Sequence, residues 1–232
     1  MPEMAKIDYY TLVSYCKMKI IYIWRGLPMQ TEIMKSNLCE YYNKEAPLRN
    51  FNDKAEWKIS QRADFCKLIK SENKKTLLEI GAGTGDDSVF FMKSGLKVTA
   101  VDLSPEMVRI CIDKSIEAYE LDFYNLADLN KTFDCIWSMN SLLHVPKSDL
   151  PQVLKTIHSV LNKNGLFYMG VYGGLDLEHN YIDDFSEIPR LFSFYTEQAL
   201  KEVLSYSFNI LSYQQMDVGR KRDFQAVIMK KK

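Results

Sequence analysis

The order of apolar and polar positions divides most of the chain into alternating short strands and amphipathic helices. Ile59, Ala63, Cys66 and Ile69 recur at helical spacing across residues 55–70. The segment Thr76, Leu77, Leu78, Glu79, Ile80 is a mostly apolar run ending at Gly81, the pattern of a buried strand that breaks into a glycine turn. Asp86 or Asp87 is expected to cap the next helix, which reaches Lys93. A second strand over 97–101 ends at Asp102. Ser104 and Pro105 then supply an N-cap and a first-turn proline for a helix to about Lys114. A third, weaker strand spans Ala118 to Leu121, and a fourth spans Phe133 to Ser138. Ser148 is expected to cap a helix with Leu150, Val153, Leu154, Ile157, Val160 and Leu161 on one face. Asn164 and Gly165 stop it, and Leu166 to Tyr172 forms a fifth strand. Residues 173–194 read as an irregular, aromatic segment. Thr196 caps a last helix containing Leu200, Val203 and Leu204. Two closing strands, about 207–216 and 223–230, meet at a Gly219–Arg220 turn and form an antiparallel hairpin.

Strands alternating with helices imply an α/β fold, a parallel sheet with helices on both faces. The 232 residues suit one domain or one domain with an appendage. Lys plus Arg and Asp plus Glu are both 30, so the basic excess of a dedicated nucleic-acid binder is missing and no such partner is expected. Cys16, Cys39, Cys66, Cys111 and Cys135 are scattered and form no close pair. They read as reduced thiols of a cytoplasmic protein rather than a disulfide frame or zinc site. Leu12 to Trp24 is rather apolar, but Lys17 and Lys19 interrupt it; neither a membrane span nor a signal sequence is expected. His144, His158 and His179 form no ligand cluster, so no metal is expected. Asp183 and Asp184 read as a solvated acidic pair.

The strongest chemical signal is the strand end, loop and helix start from Leu77 to Asp86, with glycines at 81, 83 and 85. Glycines let the backbone turn sharply and approach a ligand closely. The acidic residues that follow suit a pyrophosphate poorly, and the dinucleotide fingerprint asks for glycine where Asp86 stands. A nucleotide without phosphate fits better. Asp102, at the end of the second strand and about twenty residues beyond the loop, is placed to hold both ribose hydroxyls. After the third strand, the Asp122 carboxylate could accept from an adenine amino group, with Phe123 presenting a backbone N–H.

Taken in order, these elements resemble the class I S-adenosylmethionine-dependent methyltransferase family. The fourth-strand segment from Phe133 through Asn140 to Val145, and the Asn164–Gly165–Leu166 turn, extend the resemblance across about residues 35–232. It implies a Rossmann-like, seven-stranded, mostly parallel sheet of order 3-2-1-4-5-7-6, with strand 7 antiparallel. It also implies S-adenosyl-L-methionine as cofactor. By that resemblance, Glu79, Gly81, Ala82, Gly83 and Gly85 line its methionine and ribose parts, and Asp102 binds the ribose. Leu103 packs on adenine, Asp122 and Phe123 hold the adenine amino end, and Asn140 lines the methyl-transfer side. Residues 1–33 read as an N-terminal extension and 34–72 as cap helices of a domain running to 232. Within the cap, Tyr41 and Tyr42 are candidates to cover the methionine end, and Arg62 to pair with its carboxylate.

The acceptor pocket is expected beyond the C-terminal ends of the strands, where Tyr172, Arg190 and Phe194 fall. His144 is the candidate base if the acceptor must lose a proton, its alternative being a hydrogen-bonded structural histidine. The expected activity is methyl transfer to a small-molecule acceptor. The alternatives are a non-catalytic cofactor-binding regulator, and a methyltransferase acting on protein or RNA. A nicotinamide dehydrogenase is disfavoured by Asp86 and the closing hairpin.

Overall fold

The structure is a computed structural model describing residues 28–50, 54–183, 185–219 and 222–232. The stretch from Leu12 to Trp24, Cys16, Asp184, Arg220 and most of the expected 1–33 extension lie outside the described residues. Two helices lead, α1 (Pro28–Arg49) and α2 (Glu56–Ser71). Residues 28–33 therefore belong to the first cap helix, which begins before the expected residue 34. Then come β1 (Thr76–Ile80), α3 (Asp86–Lys93), β2 (Lys97–Asp102), α4 (Pro105–Asp113) and β3 (Glu117–Glu120). They are followed by β4 (Phe133–Met139), α5 (Leu150–Val160), β5 (Leu161–Gly173), β6 (Leu177–Asp183) and β7 (Ser186–Phe194). The chain closes with α6 (Glu197–Ser205), β8 (Phe208–Met216) and β9 (Asp223–Lys231).

The main sheet has seven strands in the order β3-β2-β1-β4-β5-β9-β8. The first five are parallel, and β9 runs antiparallel to both β5 and β8. This is the expected order, with the last pair renumbered because β6 and β7 intervene. Both faces of the sheet are buried, so successive residues of one strand enter different cores. Leu77, Cys135, Trp137, Leu166 and Tyr168 pack with Phe65, Ile69 and Phe91 of α2 and α3. Leu78, Ile80, Ile136, Phe167 and Met169 pack on the other side with Leu154 and Ile157 of α5 and Leu200 of α6.

Three local expectations are corrected. Residues 173–194 are not irregular: β6 and β7 form a two-stranded antiparallel sheet. Its first strand has little buried surface, so no alternation of apolar and polar residues marked it. Gly85 rather than Asp86 or Asp87 is the N-cap of α3, in a left-handed conformation with φ +80°. Asp149 rather than Ser148 precedes α5, and it makes no side-chain cap bond. Ser104 does cap α4, accepting from the Met107 N–H at 3.1 Å, and Thr196 caps α6 through the Ala199 N–H. Among the described residues, no helix is long and apolar enough to cross a membrane, and no cluster of His, Cys, Asp or Glu is arranged to hold a metal ion.

Candidate functional site

The C-terminal ends of β1, β2, β4 and β5 open into a cavity of about 940 Å³. Its floor is the loop after β1. Gly81 (φ +70°) and Gly83 (φ +55°) hold conformations that L side chains rarely adopt. A Cβ on Gly81 would lie 2.4 Å from Ser141 Cβ, because the loop crosses directly over the β4 end. A Cβ on Gly83 would meet nothing within 4 Å. Gly81 is therefore required by packing. Gly83 is a backbone position with open space beside it and lines the cavity.

Asp102 ties this loop to β2. One carboxylate oxygen accepts from the Gly83 N–H at 2.8 Å and the other from the Ser104 N–H at 2.9 Å. Burial pushes its pKa up, against the lowering effect of those N–H donors. Asp102 also lines the cavity. Across the floor stands Asn140, in the left-handed region at φ +58°. Its backbone N–H donates to the Gly170 carbonyl at 2.7 Å, while its buried side-chain oxygen has no hydrogen-bond partner among the described residues. A buried acceptor without a donor is costly unless a ligand supplies one.

The far wall is polar and buried. Ser88 donates a hydrogen bond to Glu79, whose carboxyl is pushed well above the usual carboxylate range by burial first and the neighbouring Asp87 charge second. Asp87 in turn accepts from Arg62 at 2.8 Å, from the Trp137 indole N–H at 3.1 Å and from Lys54. Trp137 stacks on Tyr168 with ring centroids 4.0 Å apart.

The roof comes from α1 and the β6–β7 hairpin. Tyr41 Oη donates to Asp183 at 2.6 Å, and Arg190 bonds the same oxygen at 2.5 Å with its guanidinium 3.6 Å from the Tyr41 ring centroid. Asp183 is therefore a clamp between the two elements, not a solvated residue. Burial alone would raise its pKa, but the Tyr41 hydrogen bond and the Arg190 charge hold it below the ordinary value. Beside this clamp, Tyr42 Oη lies 2.8 Å from His144 Nε2, and His144 Nδ1 lies 2.7 Å from the Leu191 carbonyl. A carbonyl only accepts, so Nδ1 carries the hydrogen and Nε2 accepts from the tyrosine. Burial drives the His144 pKa down to about 3, helped by the Arg190 and Arg49 charges and opposed by its bond to Leu191.

The cavity thus brings together most residues expected from the sequence: Tyr42, Glu79, Gly81, Ala82, Gly83, Asp102, Leu103, Asp122, Phe123, Asn140, His144, Tyr172 and Arg190 line it. Three stand elsewhere. Gly85 sits under Ile116 and Cys111, at the start of α3. Phe194 is fully buried. Arg62 is not at the cavity wall: it is held by Asp87 and lies over the Phe90 ring. For the base expected at His144, Tyr42 engages the one free lone pair and burial lowers the basicity of the imidazole, which leaves it a poor proton acceptor. Asp122 lines the cavity with both oxygens engaged, one by the Tyr124 and Asn125 N–H groups and the other by Lys35 at 2.8 Å. The cavity also receives Arg49, Lys54, Asp183 and Arg222, which the sequence reading missed. Arg49 and Lys54 lie in the predicted cap without a motif around them, and Arg222 stands immediately before β9, likewise without one.

Residues 77–165 match the family model described as a methyltransferase domain. A curated relative, an uncharacterized methyltransferase of Alkaliphilus oremlandii, is 31% identical over 103 residues, covering 44% of this chain and 47% of that protein. A glycine/sarcosine N-methyltransferase of Parasynechococcus marenigrum is 25% identical over 146 residues, covering 56% and 51%. The chain spans about half the length of the curated relatives it matches. Among solved structures, the Burkholderia thailandensis 1,6-didemethyltoxoflavin-N1-methyltransferase, with bound 1,6-didemethyltoxoflavin and S-adenosylhomocysteine, superposes with a TM-score of 0.68. It is 21% identical, covering 89% of this chain and 91% of that one, and shows the same fold. With this strand order, this loop after β1 and this matched segment, residues 77–165 match a methyltransferase domain within a fold shared with S-adenosylmethionine-dependent methyltransferases.

Proposed function

We propose that the protein transfers a methyl group from S-adenosyl-L-methionine to a small-molecule acceptor enclosed between the sheet and the roof. The observation that carries this reading is the floor of the cavity. There a glycine backbone with open space beside it, the Asp102 carboxylate and the unpartnered Asn140 oxygen converge at the β1, β2 and β4 ends. These groups fit the cofactor: a diol donor for Asp102, an N–H or polarised C–H donor for Asn140, and close approach over Gly83. Glu79 and the loop of Gly81, Ala82 and Gly83 would hold the amino-acid end, and Asp102 the ribose. Leu103, Asp122 and Phe123 would hold the adenine. The carboxylate partner expected at Arg62 falls instead to Arg49, which lines the cavity.

The bound cofactor supplies a methyl group on a sulfonium, ready for in-line displacement. The chain itself supplies position and a dry enclosure. Tyr42 and His144 form a neutral, hydrogen-bonded wall and move no proton. An acceptor that presents a free lone pair at neutral pH needs no base from this wall. The roof formed by α1 and the hairpin favours a small acceptor over a polymer.

Calorimetric titration with S-adenosylmethionine and S-adenosylhomocysteine tests the reading. Saturable binding is expected, weakened about tenfold or more by Asp102→Ala, since that side chain both orders the Gly83 N–H and faces the diol. A folded wild-type chain that binds neither compound would sink the proposal. Binding without turnover across broad acceptor pools would favour a non-catalytic regulator.

A further inference from the structure

The cavity has two chemically different ends. Sheet order puts Asp102 and the glycine loop at β2 and β1, whereas the other end lies past β4 at β5 and β9. Strands are spaced about 4.8 Å apart, so β9 stands three spacings, roughly 14 Å, from β1. There Asp223 pairs with Gly173, and Phe224 with Tyr172. Arg222, immediately before β9, reaches the cavity with its guanidinium 4.2 Å from the Phe194 ring centroid. Phe224 carries Trp57 on one side, with centroids 4.4 Å apart, and Tyr172 on another, 5.6 Å apart; both rings line the cavity.

The cations around the cavity differ in how they are neutralised. Arg49 is paired with Glu45 at 2.6 Å, Arg190 with Asp183 at 2.5 Å, and Lys54 with Asp87. Arg222 makes no ion pair and no hydrogen bond with any described residue; its stacking on Phe194 is its one described interaction. A half-buried guanidinium 4.2 Å from an aromatic centroid, with no described residue on its donors, is suited to take a planar anion in a two-pronged contact.

Resting on the methyl-transfer reading above, we propose that the acceptor carries a carboxylate, that Arg222 binds it, and that Trp57 and Tyr172 flank the acceptor's body. The methyl-accepting atom then lies between this anchor and the Asn140 side. Arg222 is a specificity-determining residue, acting on acceptor choice and not on the cofactor.

The test uses the full chain saturated with S-adenosylhomocysteine, titrated with benzoate and with benzamide, which differ in charge but hardly in shape. Wild type is expected to bind benzoate about tenfold or more tightly than benzamide, the worth of one charge-assisted contact. Arg222→Gln should erase that preference, and Arg222→Lys should keep part of it. S-adenosylhomocysteine affinity should stay within about twofold in both variants, which also shows that they are folded. Equal or weaker binding of benzoate by wild type, no detectable benzoate binding at millimolar concentration, or a preference that survives Arg222→Gln would overturn the inference while leaving the cofactor reading intact. Failure of S-adenosylhomocysteine itself to bind would overturn both.

Discussion

Single residues in this site do two jobs that substitutions can separate. Gly81 and Gly83 share a positive φ, but only Gly81 is crowded, with Ser141 2.4 Å from its missing Cβ. Alanine at Gly83 should cost about 1 kcal/mol of stability from the backbone conformation alone. Its methyl would project into the space next to the cavity floor, so S-adenosylhomocysteine affinity should fall far more than stability. Alanine at Gly81 should cost about 2–4 kcal/mol, since backbone strain and overpacking add. Urea melts beside calorimetry distinguish the two; equal stability losses would contradict the difference in packing.

His144 offers a pH signature of its own. Its pKa is about 3 in the fold and about 6.5 in an unfolded chain, so below 6.5 only the unfolded state takes up the proton. Its stabilising contribution is present above that value and is lost as pH falls toward 3, by about 1.4 kcal/mol per pH unit. Glu79 works with the opposite sign. Its raised pKa means that its contribution is present at low pH and lost as pH rises. The difference between wild type and His144→Gln isolates the histidine: the gap should narrow steadily as pH is lowered from 6.5 to 4.5. A gap independent of pH would show that His144 is not held neutral.

At the scale of elements, the roof depends on one carboxylate. Asp183 receives Tyr41 from α1 and Arg190 from β7, residues 142 and 7 positions away in the chain. Asp183→Asn should leave the Arg190 charge buried and uncompensated. Amide exchange across residues 38–49 and 177–194 should then quicken about tenfold or more, while β1, β4 and β5 stay protected. Uniform acceleration would mean that the clamp supports the whole fold; none would mean that α1 is held by its packing on β7 and α4.

For the whole molecule, binding at the edge between sheet and roof couples to global stability. At a hundred times its dissociation constant, S-adenosylhomocysteine should contribute about 2.7 kcal/mol. For a domain of this size that corresponds to a rise in Tm of about 5–10 °C. Asp102→Ala should abolish most of the rise at the same ligand concentration. The shared fold does not by itself set the acceptor. On the carboxylate proposal above it is set where the β5 and β9 ends meet the hairpin, and Arg222 and Tyr172 are the residues to vary there.

The succession of strands and helices, the glycine loop and Asp102 were legible in the sequence because each is a local property, whereas the strand order was implied by the family resemblance. Leu77 to Ile80 must be buried on both faces, Gly81 and Gly83 must turn, and a strand-end carboxylate must face the same edge as the loop. The Ser104–Pro105 and Thr196 helix starts were legible for the same reason. What needed the tertiary structure were partnerships between residues far apart in the chain. Asp183 and Asp184 looked like a solvated pair until Tyr41 and Arg190 were seen to meet Asp183. Arg62 suited a ligand carboxylate until Asp87 proved to be its partner. His144 suited a base until Tyr42 and Leu191 closed on its two nitrogens. Sequence spacing determines which groups share an edge of the sheet; which charges are neutralised and which lone pairs remain free is decided only by long-range packing.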